Sequence, residues 1–194
     1  MTMLETPRLI LRPMTAGDAE DLYEYARDPR VGPDAGWSIH KSLEESREII
    51  ASVFSAPNTF GLVLKESGKM IGSAGLVDRH YDLLPGPDDE IGYALNPACW
   101  GRGLAPEAVR ELLRCGFEDL GLETIWCGHY DFNARSRRVV EKCGFRYRFT
   151  EQADVPLLGE RRTELHYALT RAEWAAAAPT PAGEIDRMRR YAFP

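Results

Sequence analysis

The feature that most constrains this sequence is a glycine-rich turn leading directly into a one-sided apolar pattern. The segment before it, "EIGYALN" (90–96), alternates in polarity and predicts a strand with Glu90 and Tyr93 on opposite faces. After the turn "WGRG" (100–103), apolar or small residues recur at 105, 108, 109, 112, 113, 116, 117 and 120. These spacings of three and four residues place them on one face of a helix. The chain is therefore predicted to build a strand, a tight turn and a helix that covers a sheet.

The other elements follow from alternation, helix caps and turn residues. Two Thr/Ser-x-x-Asp/Glu capping boxes, at 15–18 and 42–45, predict two helices, and Asn133 caps a third that runs to Lys142. Further strands are predicted at 7–14, in two runs within 59–77, and at 121–130, 145–153 and 161–170. This order predicts a mixed α/β sheet covered by helices. One domain is expected over 1–174, followed by an extension at 175–194 that is linker-like or docks on a neighbour.

Composition narrows the class of partner and compartment. The formal net charge of −6 disfavours nucleic acid as the main partner. No apolar run of about 18 residues is present to span a membrane, and the N-terminus lacks a signal-peptide layout, so a cytoplasmic location is expected. The four cysteines lack metal-ligand spacing, which predicts free, mostly buried thiols and no metal site.

The turn at 100–103 has the properties of an anion site. Unpaired N–H groups and a partial positive charge mark the start of a helix, and glycines let the backbone approach a ligand closely. The alternative is that Gly101 and Gly103 only make a tight turn between strand and helix. The turn is neither a P-loop, since no Gly-Lys-Ser/Thr follows, nor a G-x-G-x-x-G fingerprint, since Pro106 occupies the third glycine position.

A second motif, "NARSRRVVEKCGF" (133–145), follows one strand later. Together with "EIGYALNPACWGRGLAPEA", it resembles the GNAT superfamily of N-acetyltransferases. With "TPRLILRPM" and "ALTRAEW", the chain resembles the branch that contains the ribosomal-protein N-terminal acetyltransferases. The resemblance covers about residues 6–174. It implies a twisted, mostly antiparallel sheet of about seven strands with a central splay, and acetyl-CoA as cosubstrate.

The resemblance also assigns residues to acetyl-CoA. It implies that backbone N–H groups across 101–105 bind the pyrophosphate, and that main-chain groups near Leu95 pair with the pantetheine arm. The cofactor-binding residues expected on this basis are Leu95, Trp100, Gly101, Arg102, Gly103, Leu104, Ala105, Asn133 and Ser136.

Amide formation from a thioester needs a base for the amine and an acid for the leaving thiolate. Many GNAT enzymes use a tyrosine as the acid, but Val140 stands at that position here. The resemblance offers Ser136 instead, although its hydroxyl is equally a pantetheine ligand or a helix-surface group. Glu90 is the predicted base, with its pKa raised by its neighbours Asp88 and Asp89. His129 and His80 are alternative bases.

The acceptor site is expected in the irregular segments 31–41 and 78–89, with Trp37, His40, Tyr81 and Asp34 as candidates. The predicted activity is direct transfer of an acetyl group to a primary amine, either of a small molecule or of a protein N-terminus. A CoA-binding sensor or assembly module with little catalysis is the alternative. A monomer or homodimer fits either activity.

Overall fold

The computed structural model describes residues 3–177 of the chain. The strands are β1 (Leu4–Glu5), β2 (Leu9–Arg12), β3 (Thr59–Leu64), β4 (Met70–Leu76), β5 (Asp88–Leu95), β6 (Thr124–Tyr130), β7 (Arg146–Val155) and β8 (Glu160–Thr170). The helices are α1 (Ala19–Ala26), α2 (Leu43–Ser52), α3 (Leu104–Arg114), α4 (Ala134–Lys142) and α5 (Arg171–Ala177).

The eight strands form one sheet in the order β1-β2-β3-β4-β5-β6-β8-β7. Every neighbouring pair is antiparallel except β5 and β6, which run parallel. These two pair only between Asp88–Glu90 and Thr124–Trp126, and beyond that point they separate. The predicted mixed sheet with a central splay is confirmed, but the predicted count of about seven strands is one too low. The additional strand is β1, whose two residues are too few to show alternation.

Helix α3 carries the pattern on which the prediction rested. On its inner face, the helix buries Ala108, Val109 and Leu112 completely. A π-helical turn at Cys115–Asp119 continues the helix, so Leu120, predicted on the same face, lies past its end and is 42% exposed. The left-handed Gly121 follows at once and ends the element.

The three predicted N-caps are present. The Asp18 carboxylate accepts hydrogen bonds from the Thr15 N–H and hydroxyl, and the Ser42 hydroxyl accepts from the Glu45 N–H. The Asn133 side chain accepts from the Ser136 N–H. Each bond satisfies or orders the start of a helix that packs on the sheet.

Apolar clusters cover both faces of the sheet. One cluster packs under α3 and α4, and the other packs under α1 and α2. All four cysteines are free and buried, as predicted. Within residues 3–177, no helix is long and apolar enough to cross a membrane. Of the predicted 175–194 extension, only 175–177 falls within the described residues, where it continues α5.

Candidate active site

The separation of β5 from β6 opens a cavity of about 620 Å³ through the middle of the sheet. Residues of β5, β6, the glycine turn, α4 and the loop after α1 line it. Alternation along β5 divides its walls between the two faces of the sheet. Ile91 and Leu95 belong to the cluster under α3 and α4, with Tyr93 packed against it, whereas Ala94 packs on the cluster under α1 and α2. Glu90 shares the second face.

The edge of β5 beyond its pairing with β6 faces the cavity instead of a neighbouring strand. The Glu90 carbonyl accepts from Val77, and the Asn96 N–H donates to Ile71, so even-numbered residues of β5 bond towards β4. The N–H and C=O groups of successive residues point to opposite edges of a strand. The main-chain groups of residues 91, 93 and 95 therefore point into the cavity. The indole N–H of Trp100 donates to the Leu95 carbonyl at 2.9 Å and ties the glycine turn to this edge. An extended, amide-containing ligand can pair with such an edge as a further strand does.

At one end of the cavity, the glycine turn presents the N-terminus of α3. Gly101 and Gly103 have φ values of +75° and +76°, a conformation that side chains disfavour. A Cβ added at Gly101 would meet nothing within 4 Å, and one at Gly103 would meet only the Arg8 guanidinium, at 3.6 Å. The turn is therefore open to a ligand, and its N–H groups favour an anion.

Basic side chains of α4 line the same end of the cavity, namely Arg135, Arg138 and Lys142. The Arg135 guanidinium lies 4.1 Å from the centre of the Trp100 ring and pairs with Asp34 at 2.8 Å. Arg102, a predicted ligand, does not line the cavity with its side chain, which points out towards Glu66 at 3.5 Å. Arg102 lies in the turn between two left-handed glycines, and its carbonyl accepts from Arg8 Nη1 at 2.8 Å.

At the opposite wall, the Glu90 carboxylate is almost enclosed. Glu90 as a whole is 7% exposed, and the Tyr81 hydroxyl donates to Glu90 Oε2 at 2.6 Å. Arg79 lies between Glu90 and Glu164, with Nη1 at 3.5 Å and 3.4 Å from their carboxylates. Gly128 lies alongside, where an added Cβ would come within 2.7 Å of Glu164 Oε1.

The pKa of Glu90 is raised, first by burial and then by the charge of Glu164, against the lowering effects of Arg79 and Tyr81. The predicted direction is right, but the predicted cause is wrong. The Asp88 carboxylate accepts from the Trp126 indole and the Tyr81 N–H, and the Asp89 carboxylate accepts from the Arg79 N–H. These hydrogen bonds disperse the charges of Asp88 and Asp89. The main cause of the raised pKa of Glu90 is its burial by strands that are distant in sequence.

Facing the glycine-turn side, Ser136 and Tyr93 form a hydroxyl pair. The Tyr93 hydroxyl lies 2.6 Å from Ser136 Oγ, and both residues line the cavity. Burial raises the pKa of Tyr93 well above its ordinary value, so the phenol stays protonated. Val140, at the position where relatives place a tyrosine, is completely buried. A tyrosine of β5 thus reaches the first turn of α4, although no α4 tyrosine is present.

Four other predicted site residues line the cavity. Asn133 lines the cavity, but its side chain is bonded to the Ser136 N–H and the Asp34 carbonyl, so it positions α4 and the adjacent loop. Leu104 and Ala105 line the cavity where α3 begins. His129 also lines it, with Nδ1 bonded to the Tyr130 carbonyl at 2.8 Å.

Three predicted acceptor-site residues do not line the cavity. Trp37 and His40 pack against each other with ring centres 5.4 Å apart, and His40 Nδ1 is 2.9 Å from Ser46 Oγ. Tyr81 lies behind Glu90, which its hydroxyl contacts. His80, the alternative base, is exposed and bonded to Asp78. Asp34, the fourth predicted acceptor-site residue, does line the cavity, and the predicted loops also reach it through Val31, Ala35 and Arg79.

Comparison with known proteins shows which family this chain belongs to. The family model described as an acetyltransferase (GNAT) domain matches residues 8–146. The chain belongs to the GNAT acetyltransferase family. It is 31% identical over 152 residues to the uncharacterized N-acetyltransferase p20 of Bacillus licheniformis, covering 75% of this chain and 83% of that protein.

Solved structures agree with this assignment. The GNAT-family acetyltransferase from Bacillus anthracis superposes with a TM-score of 0.78 at 26% identity, covering 89% of this chain and all of that one. The ribosomal-protein-S5-alanine acetyltransferase from Vibrio fischeri gives a TM-score of 0.69 at 18% identity, covering 90% and 99%, and at that identity it shows the fold alone. This GNAT domain is thus an acetyltransferase, with its cavity at the splay of the sheet.

Proposed function

We propose that this GNAT enzyme transfers the acetyl group of acetyl-CoA directly to a primary amine, with Glu90 as the base. The observation that carries the proposal is that one cavity has two chemically different walls. One wall consists of the anion-binding turn and the edge of β5 beyond Glu90, and the other contains the buried Glu90 carboxylate of raised pKa, with Arg79 and Glu164. A transferase that joins two substrates needs such separate approaches to one point.

The residues on the first wall fit acetyl-CoA. The N–H groups of the 101–105 turn would hold the pyrophosphate, with Arg135, Arg138 and Lys142 adding positive charge. The main-chain groups of β5 that point into the cavity suit the two amides of the pantetheine arm. When bound, acetyl-CoA supplies the activated acetyl group as a thioester.

Proton chemistry follows from the two walls. A primary amine is cationic at neutral pH and must lose a proton before it can act as a nucleophile. Glu90 takes that proton, and its raised pKa brings it nearer to neutrality than an ordinary glutamate. On the opposite wall, the Ser136 hydroxyl, bonded to Tyr93, is positioned to donate a proton to the leaving sulfur. This pair fills the role left vacant by Val140.

A small-molecule amine fits the acceptor wall better than a protein N-terminus. The loop that bears Asp34 is fixed by bonds from Asn133 to the Asp34 carbonyl, from Arg162 to the Pro33 carbonyl, and from Ser38 to the Leu157 carbonyl. These bonds join the loop to α4 and to the β7–β8 hairpin, and they hold Asp34 and Ala35 against the cavity. A peptide needs an open groove for its following residues.

An acceptor screen tests the proposal by following free thiol from acetyl-CoA. The panel contains a polyamine, an aminoglycoside, aromatic and aliphatic monoamines, amino-acid amides and peptides with free N-termini. Turnover confined to non-peptide amines is the expected result. Turnover of peptides would reassign the acceptor class, and acetyl-CoA binding without turnover of any amine would favour the sensor function instead.

A further inference from the structure

A series of close polar contacts leads from the buried Glu90 carboxylate to the protein surface. The Tyr81 hydroxyl is 2.6 Å from Glu90 Oε2 and 3.2 Å from Nδ1 of His166. On the far side of the imidazole ring, Nε2 lies 3.0 Å from Oε1 of Glu151. His166 is 1% exposed, whereas the Glu151 side chain is 45% exposed. The series therefore begins in the cavity and ends in solvent.

We propose that Tyr81, His166 and Glu151 carry the proton taken from the amine out of the active site. This inference rests on the proposed function, because it assumes that Glu90 is the base. Each turnover leaves one proton on Glu90, and that proton must depart before the next amine can be deprotonated. Glu90 is 7% exposed, and a bound acceptor covers it further, so a route through the protein is useful.

The proton positions along this route balance. Before reaction, Tyr81 donates to the ionised Glu90, and neutral His166 carries its proton on Nε2, facing Glu151. When Glu90 has taken a proton, it donates to the Tyr81 oxygen, and Tyr81 passes its own proton to Nδ1 of His166. The Nε2 proton then moves to Glu151 and on to water. One proton leaves for each one accepted, and His166 is left protonated on Nδ1. A brief opening of the ring to water, in which Nε2 gains one proton and Nδ1 loses one, restores the starting tautomer before the next turnover.

The surroundings keep His166 neutral and hold its ring in line while the proton passes. Burial lowers the pKa of His166, and Arg79 lowers it further, against the opposing charges of Glu164 and Glu151. The ring stacks on Phe149 at 4.4 Å with planes 12° apart. Tyr81 is held between this pair and Trp126, whose ring centre is 4.6 Å away. Aromatic walls thus exclude water from the middle of the route.

The polar groups of the route are aligned for hydrogen bonding at the Glu90 end but not at the Glu151 end. Nε2 of His166 lies 3.0 Å from Glu151 Oε1, but the two groups are not aligned for a hydrogen bond. The Glu151 side chain is half-exposed and on the edge strand β7, so a small rotation brings it into line. This last step is the one that opens to solvent.

Pre-steady-state kinetics test the route, using the panel amine with the highest kcat/KM and EDTA throughout. EDTA removes any ion held by Glu151, Glu164 and His166, whose ligand atoms lie within 4.8 Å of one another. At a pH above the acidic limb of each enzyme's own profile, where Glu90 is ionised with or without the Tyr81 hydroxyl, the first turnover of Tyr81→Phe and His166→Phe should proceed at close to the wild-type rate. Later turnovers should be about tenfold slower in dilute buffer, and concentrated MES should restore them by accepting the proton directly. Tyr147→Phe is the matched control, because this exposed tyrosine of β7 lies outside the route.

Two kinetic results would overturn the route. One is an unchanged steady-state rate in dilute buffer, and the other is a first turnover slowed as much as the later ones with no response to MES. Glu90→Gln, assayed in parallel, separates the hypotheses. If Glu90→Gln is inactive while the Tyr81 and His166 variants behave as wild type, only the route is wrong. If Glu90→Gln keeps full activity, the proposed base itself is wrong.

Nitrogen-15 NMR of the wild-type protein gives a test that needs no variant and no acceptor. The chain has four histidines, so their ring nitrogens are readily assigned. The route requires neutral His166 with its proton on Nε2. His129 is an internal reference for the other tautomer, because its Nδ1 faces a carbonyl, which only accepts. A His166 ring protonated on Nδ1 alone at neutral pH would contradict the proposed proton path.

Discussion

Replacing Glu90 by glutamine removes the proposed base while keeping the size and the acceptor oxygen that Tyr81 contacts. General bases contribute about 10² to 10⁴-fold to rate. We expect the lower end, a loss of about 100-fold in kcat/KM, or about 2.7 kcal/mol of transition-state free energy. The reason is that Glu164 shares Arg79 with Glu90 and offers a second carboxylate in the same wall.

The pH profile of kcat/KM separates a base from a merely structural carboxylate. Glu90 must be ionised to act, so activity should rise with pH through its raised pKa, and the acidic limb should lie above that of an ordinary glutamate. Glu164→Gln removes a charge that raises this pKa and should move the limb to lower pH. Arg79→Met removes a charge that lowers it and should move the limb to higher pH.

The assay is free-thiol release at saturating acetyl-CoA, with limiting amine, across the pH range in which the enzyme stays folded. The Glu164 and Arg79 variants should shift the profile in opposite directions with plateaus much nearer to wild type than that of Glu90→Gln. A Glu90→Gln enzyme with the wild-type plateau and limb would refute the assignment of the base.

Four further substitutions test other parts of the structure. Ser136→Ala should lower kcat about 100-fold and Tyr93→Phe by less, because Tyr93 acts through Ser136, while calorimetry shows little change in acetyl-CoA affinity. Gly128→Ala places a Cβ 2.7 Å from one cavity carboxylate and 3.3 Å from another, and it should lower kcat about 10- to 100-fold without changing acetyl-CoA affinity. Asp18→Asn should cost about 1 to 2 kcal/mol of unfolding free energy at pH 7, because the carboxylate accepts from the Thr15 N–H and hydroxyl in the turn that leads into α1 and pairs with Arg12. The pKa of Asp18 is lowered in the fold, so this difference should begin to close below about pH 4 in thermal melts.

Local patterns were sufficient to predict the structural elements on the side of the cavity where we propose that acetyl-CoA binds. The strand, the glycine turn and α3 are continuous in sequence, and each leaves its own signature in alternation, glycine placement or helical spacing. Asn133 was likewise readable as a cap. The short strand β1 left no signature, because two residues cannot establish a period.

The acceptor side depended on contacts that no local pattern encodes. Glu90 lies on β5, whereas Arg79 comes from the preceding loop and Glu164 from β8. Sequence neighbours therefore suggested Asp88 and Asp89 as the cause of the raised pKa, although distant groups supply it. The aromatic residues of the 31–41 loop suggested a binding surface, but Trp37 and His40 pack on each other and on Ser46. A buried histidine of β8, His166, carried no motif and was missed.

Calorimetric titration of acetyl-CoA into Gly103→Asp and Gly68→Asp tests the central claim most directly. Both glycines have left-handed φ values, +76° and +71°, so the two variants share the same backbone strain. Gly68 lies in the β3–β4 hairpin, where an added Cβ meets nothing within 4 Å. A carboxylate at 103 would add a negative charge to the turn that we propose holds the pyrophosphate, and it should weaken binding by about 100-fold or more. We predict that loss for Gly103→Asp alone; equal affinity in the two variants would contradict acetyl-CoA binding at this turn.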